Sequence, residues 1–381
     1  MHVMQVIDSM HGGGAETSLL EVAPGLMSRG VKMSIVTLLA DDGGLEDRLR
    51  ALGLTHVRLA HGDPLRLTLE LRDLMYRERP DLVHTTLLFA TLAGRIAARA
   101  VRTPVVTTLA NQDYGPEHRA NSRYGAWSVR AVHTADLLTV PLTTRFHAIS
   151  ADVARVMSRR LRIPNDRIRV IYRGRDPARL GVCTPDRRLR ARAALSIGAS
   201  TPVILSAGRL DRQKGVDTTI DAFRRLLRRM PEAVLLVAGR PGNANAVVQA
   251  GARGCPAVRF LGHRTDVPDL MCAADVLSFP SRWEGLGGTL VEAMALRLPI
   301  VASDIQPLRE TIGDVGWPLV RPDDGQALAD GLAAVLEGGA VNEARKDAGE
   351  RRFQVLFTAE TAADGMAGLY QDVLHETRRG P

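Results

Sequence analysis

At 381 residues, 45% hydrophobic and 24% charged, the chain has the composition of a globular protein, and its length suits two domains of similar size better than one core. Its three cysteines, Cys183, Cys255 and Cys272, are odd in number and form no C-x-x-C pair, which argues against a disulfide framework or a zinc site and fits a reducing compartment. Aromatic residues make up only 4% and are not interleaved with the basic stretches, so a single-strand nucleic-acid stacking platform is not expected despite a net charge of +8.

The chain enters a strand at once in "HVMQVID", which leaves no room for a signal peptide. Helical "ETSLLEVAPGLMSRG" follows, and Pro24 inside it is expected to kink the helix or remove a turn. Strand "VKMSIVTLL", helix "LTLELRDLMYRERP", and strands "DLVHTT", "PVVTTLA" and "RFHAIS" continue the alternation. The apolar run nearest to a membrane span, "TTLLFATLAGRIAARAV", is cut by Arg95 and Arg99. A soluble cytoplasmic protein is expected. Around 170–200 the pattern breaks into an Arg-, Gly- and Pro-rich crossover. It then restarts with "PVILSAG", "AVLLVAG", "VRFLG", "VLSFP" and "PIVASD", and ends in a helical stretch, "AETAADGMAGLYQDVLHETRR". The reading is α/β, with two doubly wound, Rossmann-like domains over 1–180 and 181–360 and a terminal helix over 361–381 that can return to the first domain.

The pI near 10.0 has its source in arginines that are dense over 155–192. A solvated arginine-rich surface accounts for it; the alternatives are a polyanionic ligand, an acidic membrane surface or nucleic acid. Named nucleic-acid motifs are absent from the sequence.

Three segments carry chemistry. "HGGGAE" at 11–16 follows the first strand and opens the first helix, where unpaired backbone N–H groups and the helix dipole favour an anion and glycines let it approach. A tight strand–helix turn explains the glycines equally well. A dinucleotide fingerprint fails, because Thr17 stands where the third small residue is required. "SAGRLDRQKG" at 206–215 places Arg209 and Lys214 in a loop after a buried strand, a planar fork and a point charge that together suit a diphosphate. In "SRWEGLGGTLVEAMA" at 281–295, Glu284 lies in a glycine loop and Glu292 in the helix that follows, with the N–H groups of Gly287, Gly288 and Thr289 between them. Two acids on either side of an anion site can hold the two sugars of a nucleotide-sugar.

"EGLGGTLVE" resembles the E-x7-E element of retaining family 4 glycosyltransferases, which have the GT-B fold of two facing Rossmann-like domains around an interdomain cleft. "HGGGAE", "SAGRLDRQKG", "VRFLGHRTDVPDLMCAADVLSFPSRWEG" and "PIVASDIQPLRETI" fall in that family's order, and the resemblance is strongest over 203–322. It implies an NDP-sugar donor held mainly by the second domain and a sugar or lipid-linked acceptor held mainly by the first, with no metal and no further cofactor. By the same resemblance, Arg209 and Lys214 meet the diphosphate and Glu284 positions the transferred sugar. Glu292 holds the ribose, Leu286, Gly287, Gly288 and Thr289 form the donor-binding turn, and Gly13 and Gly14 approach the phosphates.

The chain departs from the family at two points. The first-domain histidine at the end of a strand such as "PVVTTLA" is Ala110 here, so Asn111 and Asp113 become the acceptor-side candidates; His84 and His147 read as core or strand-end residues. The usual "NG" after the crossover strand is Arg173–Gly174. Tyr114, Tyr124 and Trp127 concentrate in one loop, where they either stack on an acceptor or pack on the core. Arg66, Arg72, Arg77 and Arg79 lie on or beside one amphipathic helix and suit peripheral contact with an anionic membrane. The competing functions are a sugar-nucleotide epimerase or hydrolase of the same architecture, and a basic nucleic-acid-binding protein.

Overall fold

A computed structural model of the chain describes residues 1–11, 13–39, 44–59, 62–115 and 126–379. Gly12 of "HGGGAE" and Tyr124 lie outside the described residues. The chain divides into two compact units, unit 1 from Met1–Asp176 with Thr358–Pro381, and unit 2 from Pro177–Phe357.

Unit 1 is built on a sheet of β1 (His2–Ile7), β2 (Lys32–Thr37), β3 (Thr55–Arg58), β4 (Leu82–Thr86), β5 (Val105–Leu109), β6 (Arg145–Ala148) and β7 (Ile168–Val170). Their order across the sheet is β3-β2-β1-β4-β5-β6-β7, and each pairing is parallel. The strands expected from sequence are the buried apolar ones. β3 and β7 escaped because they are partly exposed edge strands without a continuous apolar run.

Helix Gly14–Ser28 runs without interruption through Pro24, so no turn is removed as the sequence had suggested. Its face is buried against terminal helix Ala359–Arg379, and a methyl group on Gly25 would stand 2.7 Å from the Ala363 Cβ. That packing compensates for the one helical hydrogen bond that proline cannot donate. The terminal helix also contributes Met366, Leu369, Tyr370 and Val373 to the core of unit 1.

A buried polar relay ties this helix to the sheet. The Ile171 carbonyl can only accept, so His147 donates to it from Nε2 at 2.9 Å, and its Nδ1 accepts from Thr108 Oγ1 at 3.0 Å. Thr108 Oγ1 then accepts from His84 Nε2 at 2.7 Å, His84 Nδ1 accepts from the Tyr370 hydroxyl at 2.6 Å, and that oxygen accepts from Gln5 Nε2 at 2.8 Å. Each link sets the direction of the next, and both histidines are neutral members of a closed chain. Burial lowers the pKa of His84 to about 3, with His147 adding to the effect, and burial lowers that of His147 to about 4.

Unit 2 carries β8 (Val203–Ala207), β9 (Val234–Ala238), β10 (Val258–Gly262), β11 (Val276–Phe279), β12 (Ile300–Ser303) and β13 (Leu319–Val320) in the order β10-β9-β8-β11-β12-β13, again parallel throughout its pairings. The core strands are fully buried, as helices on both faces of a parallel sheet require. The segment expected to be the crossover, without a long periodic core face, contains helix Pro185–Ala194, capped by the Thr184 side chain. Its arginines are what hid it: buried Arg192 donates to the carbonyls of Ala273, Gly198, Ala199 and Thr201 and to Asp275. No helix among the described residues is long and apolar enough to cross a membrane.

Candidate active site

In each sheet the strand order reverses once, between β1 and β4 in unit 1 and between β8 and β11 in unit 2. Loops leaving the carboxyl ends of strands at such a reversal flank a crevice in which ligands bind. The loops after β8 and β11 are "GRLDRQKG" and "PSRWEGLGG", so the fold makes neighbours of two motifs about 70 positions apart.

Backbone contacts hold these loops together. Arg282 N–H donates to the Gln213 carbonyl at 2.8 Å, and Gln213 Nε2 donates to the Trp283 carbonyl at 3.0 Å. Arg282 also bridges Asp217 and Asp323, each within 2.7 Å. Gly215 is in the left-handed region (φ +64°), and a Cβ there would stand 2.1 Å from the Pro280 carbonyl oxygen. Only glycine permits this approach.

Lys214 and Glu284 meet across the joined loops, with Nζ 2.5 Å from Oε1. Ser281 Oγ donates to the same oxygen at 2.9 Å, and the lysine ammonium lies 5.2 Å from the Phe279 ring centroid. The Glu284 side chain is 8% exposed and that of Lys214 20%, so the pair is largely withdrawn from water. Both hydrogen bonds fall on Oε1; among the described residues Glu284 Oε2 accepts none.

Helix Gly288–Ala295 starts beside this pair. Its N-cap, Gly287 (φ +86°), offers no side-chain cap, and the preceding Leu286 carbonyl is held by Thr311 Oγ1 at 2.5 Å. A helix start without its own side-chain cap suits an external anion. Gly287, Gly288 and Thr289 follow Glu284 in the same loop that Lys214 joins. Glu292, half-buried one turn into the helix, has Arg179 Nη2 3.9 Å from its Oε1. Arg209 stands apart: its side chain is 65% exposed and its Nη1 lies 3.0 Å from Asp211.

In unit 1, Gly13 is the N-cap of helix Gly14–Ser28, again without a side-chain cap. The position of a Cβ on Gly14 lies 3.5 Å from Arg173 Nη1, so the arginine of the unusual "RG" pair sits at this glycine turn. Gly174 is required because a Cβ there would stand 2.4 Å from the Thr358 carbonyl oxygen. Asp8, missed in the sequence, directly follows β1 and accepts from the Ala90 N–H at 2.7 Å. Burial raises its pKa to about 6 against the opposing backbone hydrogen bonds. An acid closing the apolar run "VMQVID" was the available signal.

Asn111 and Asp113 both line a cavity of about 620 Å³ in unit 1. Arg160 Nη1 holds their segment by donating to the carbonyls of Gln112 and Asp113, each at 2.7 Å. Tyr114 is buried, stacks on His133 at 4.4 Å and donates to Asp136, so it packs on the core; Trp127 is exposed.

Comparison with known proteins supplies the family. Residues 12–179 match the model of Glycosyltransferase Family 4, and residues 201–338 that of Glycosyl transferases group 1. The chain is 29% identical over 243 residues to the lipopolysaccharide core biosynthesis mannosyltransferase LpsB of Rhizobium meliloti, covering 61% of this chain and 68% of that protein. It is 36% identical over 179 residues to the phosphatidyl-myo-inositol mannosyltransferase of Mycobacterium tuberculosis, covering 42% of this chain and 47% of that one. The fold matches that of Anabaena Alr3699/HepE, solved in complex with UDP-glucose, with a TM-score of 0.84 and 21% identity over 98% of this chain and 100% of that chain. The chain is a glycosyltransferase of the GT-B fold, related to the group 1 and family 4 enzymes.

Proposed function

We propose that the enzyme transfers a sugar from a nucleoside diphosphate sugar to an acceptor hydroxyl, with retention and without a metal. The observation that carries this reading is the Lys214–Glu284 pair beside the uncapped start of helix Gly288–Ala295, at the strand reversal of unit 2. UDP and UDP-glucose in the structures of Alr3699/HepE support the donor class.

In this account the diphosphate takes the N–H groups of Gly287, Gly288 and Thr289, with Leu286 setting the turn. Lys214, held by Glu284, faces the phosphates, and the exposed Arg209 turns to them when the donor arrives. Glu284 Oε2 accepts from a hydroxyl of the sugar, and Glu292 from the ribose. The acceptor oxygen attacks the anomeric carbon from the face the phosphate leaves, through an oxocarbenium-like state. The C–O bond to the β-phosphate breaks, and the acceptor's proton passes to the departing phosphate oxygen. Fixed cations and N–H dipoles stabilise charge where it develops, which is the term that usually dominates such catalysis. Gly13, Gly14 and Arg173 are the unit 1 groups suited to a phosphate, and Asn111 and Asp113 are the acceptor-side residues.

Helix Pro64–Glu78 is a candidate for peripheral contact with an anionic membrane. It buries Leu67, Leu71, Leu74 and Met75 and exposes Leu65, Leu69 and Tyr76 among its arginines. Arg66 and Arg72 are offset by Glu70 and Asp73, so Arg77 and Arg79 would carry the attraction.

The test is nucleotide release from UDP-, GDP- and dTDP-sugars in the presence of an acceptor panel, with the anomeric configuration of the product read by NMR. A product of inverted configuration, or sugar release to water alone, would reject the proposal.

A further inference from the structure

We infer that unit 1 binds the apolar body of an amphiphilic acceptor in the cavity between helices Leu88–Val101 and Ala126–Thr139, with an uncharged oxygen of that molecule accepting from Arg95 Nη2. The identification of the occupant as the acceptor rests on the function proposed above. The volume, about 620 Å³, is that of a small-molecule site. Its walls are largely apolar, formed by residues such as Leu88, Leu109, Val129, Val132 and Met157. A free hexose would leave hydroxyls against these walls without partners, which desolvation disfavours.

Arg95 lines the same cavity and is fully buried. Its Nε donates to Thr107 at 3.3 Å, and its Nη1 to Asp136 at 2.6 Å and Thr139 at 3.0 Å. Nη2 has no partner among the described residues. Buried donors are nearly always satisfied, so an unsatisfied one lining a cavity of this size points to a ligand atom. Asp136 already balances the guanidinium charge and its other oxygen accepts from Tyr114 at 2.8 Å, so an anion entering here would lose hydration and gain no counter-charge. A carbonyl, ether or hydroxyl oxygen meets the remaining N–H. Phe89, Asn111 and Ser128 are the exposed lining residues. The reacting hydroxyl accordingly stays beside Asn111 while the apolar body reaches inward.

The experiment is calorimetric titration of the full-length protein with methyl, butyl and octyl β-D-glucopyranosides below their micelle concentrations. Affinity is expected to rise about three- to fourfold per added methylene, and Val132→Trp, which fills the cavity, abolishes the octyl gain. Octanamide is expected to bind at least tenfold more tightly than octanoate. A flat alkyl series, or octyl affinity untouched by Val132→Trp, overturns the site; tighter octanoate binding overturns the uncharged partner. Should Val132→Trp not fold, the wild-type alkyl series decides alone. Binding is read without a donor: a wild-type protein that binds the octyl glycoside yet turns over no nucleotide-sugar fails the proposed function and keeps the site, whereas transfer to free hexoses with a flat series does the reverse.

Discussion

Lys214 Nζ lies 2.5 Å from Glu284 Oε1, across two loops that the strand order β8-β11 makes adjacent. The sequence suggested separate roles for these residues, one on the diphosphate and one on the sugar. The structure joins them, so each fixes the other before any ligand arrives. Glu284→Gln keeps the bond to Ser281 while removing the charge that orients the lysine, and Lys214→Met removes the cation. Each is expected to lower kcat/KM by about a hundredfold or more, roughly 3 kcal/mol of transition-state stabilisation. Circular dichroism is expected to be unchanged. Turnover close to wild type in either variant would reject the assignment.

Gly215→Ala tests how closely the loops must approach. The new Cβ would meet the Pro280 carbonyl oxygen and would occupy a left-handed backbone position. A stability loss of about 1–3 kcal/mol in urea unfolding of unit 2 is expected, together with weaker donor binding. The matching change at Gly254 is the control, because a Cβ there meets nothing within 4 Å although φ is +72°. An equal effect at both sites would mean that backbone strain alone, and not loop contact, matters.

The histidine relay makes stability depend on pH. An unfolded histidine takes up a proton as pH falls through about 6.5, whereas His84 and His147 stay neutral in the fold until about 3 and 4. Their stabilisation is complete above 6.5 and is lost as pH falls below it. Asp8 acts in the opposite sense: its folded pKa near 6 means the fold binds a proton that the unfolded chain releases above about 4. Two groups against one leave a net uptake of roughly one proton on unfolding between pH 4 and 6, or about 1.4 kcal/mol per pH unit. Amide exchange of β1 and β5 under mild denaturant, compared at pH 7 and 5, reads this directly. Stability that is flat or rises on acidification would contradict the neutral relay.

Asp136→Asn tests the buried pair of unit 1. Arg95 is fully buried and Asp136 nearly so, and removing the carboxylate leaves a charge inside the domain without its counter-ion. The loss expected is about 3–5 kcal/mol, because the remaining ion stays desolvated without its partner. Hydrogen exchange confined to unit 1 is expected to accelerate accordingly. A loss below about 1 kcal/mol would mean that water reaches Arg95 in solution.

The long buried strands and the three glycine-bearing loops were legible because parallel strands buried on both faces are continuous apolar runs and their ligand loops are written in glycine. The contact of Lys214 with Glu284 was not legible, because it depends on which strands are neighbours. The relay from Gln5 to Ile171 draws on β1, β4, β5, β6 and the terminal helix, and no local pattern predicts such a set. Arg173 looked like an unexplained substitution until the fold brought it to Gly14, and Arg95 looked like a charge that merely interrupts an apolar helix. Such residues are placed by contacts distant in sequence, and their chemistry follows from what surrounds them.

Thermal unfolding of the wild-type protein and Glu284→Gln with UDP-, GDP- and dTDP-sugars tests the central claim most directly, since a ligand that binds the folded state raises its apparent stability by mass action. At least one nucleotide-sugar is expected to raise the wild-type midpoint at millimolar concentration, with the shift reduced in Glu284→Gln. No shift with any of the three donors, or an equal shift in both proteins, would contradict a donor site built on Lys214 and Glu284.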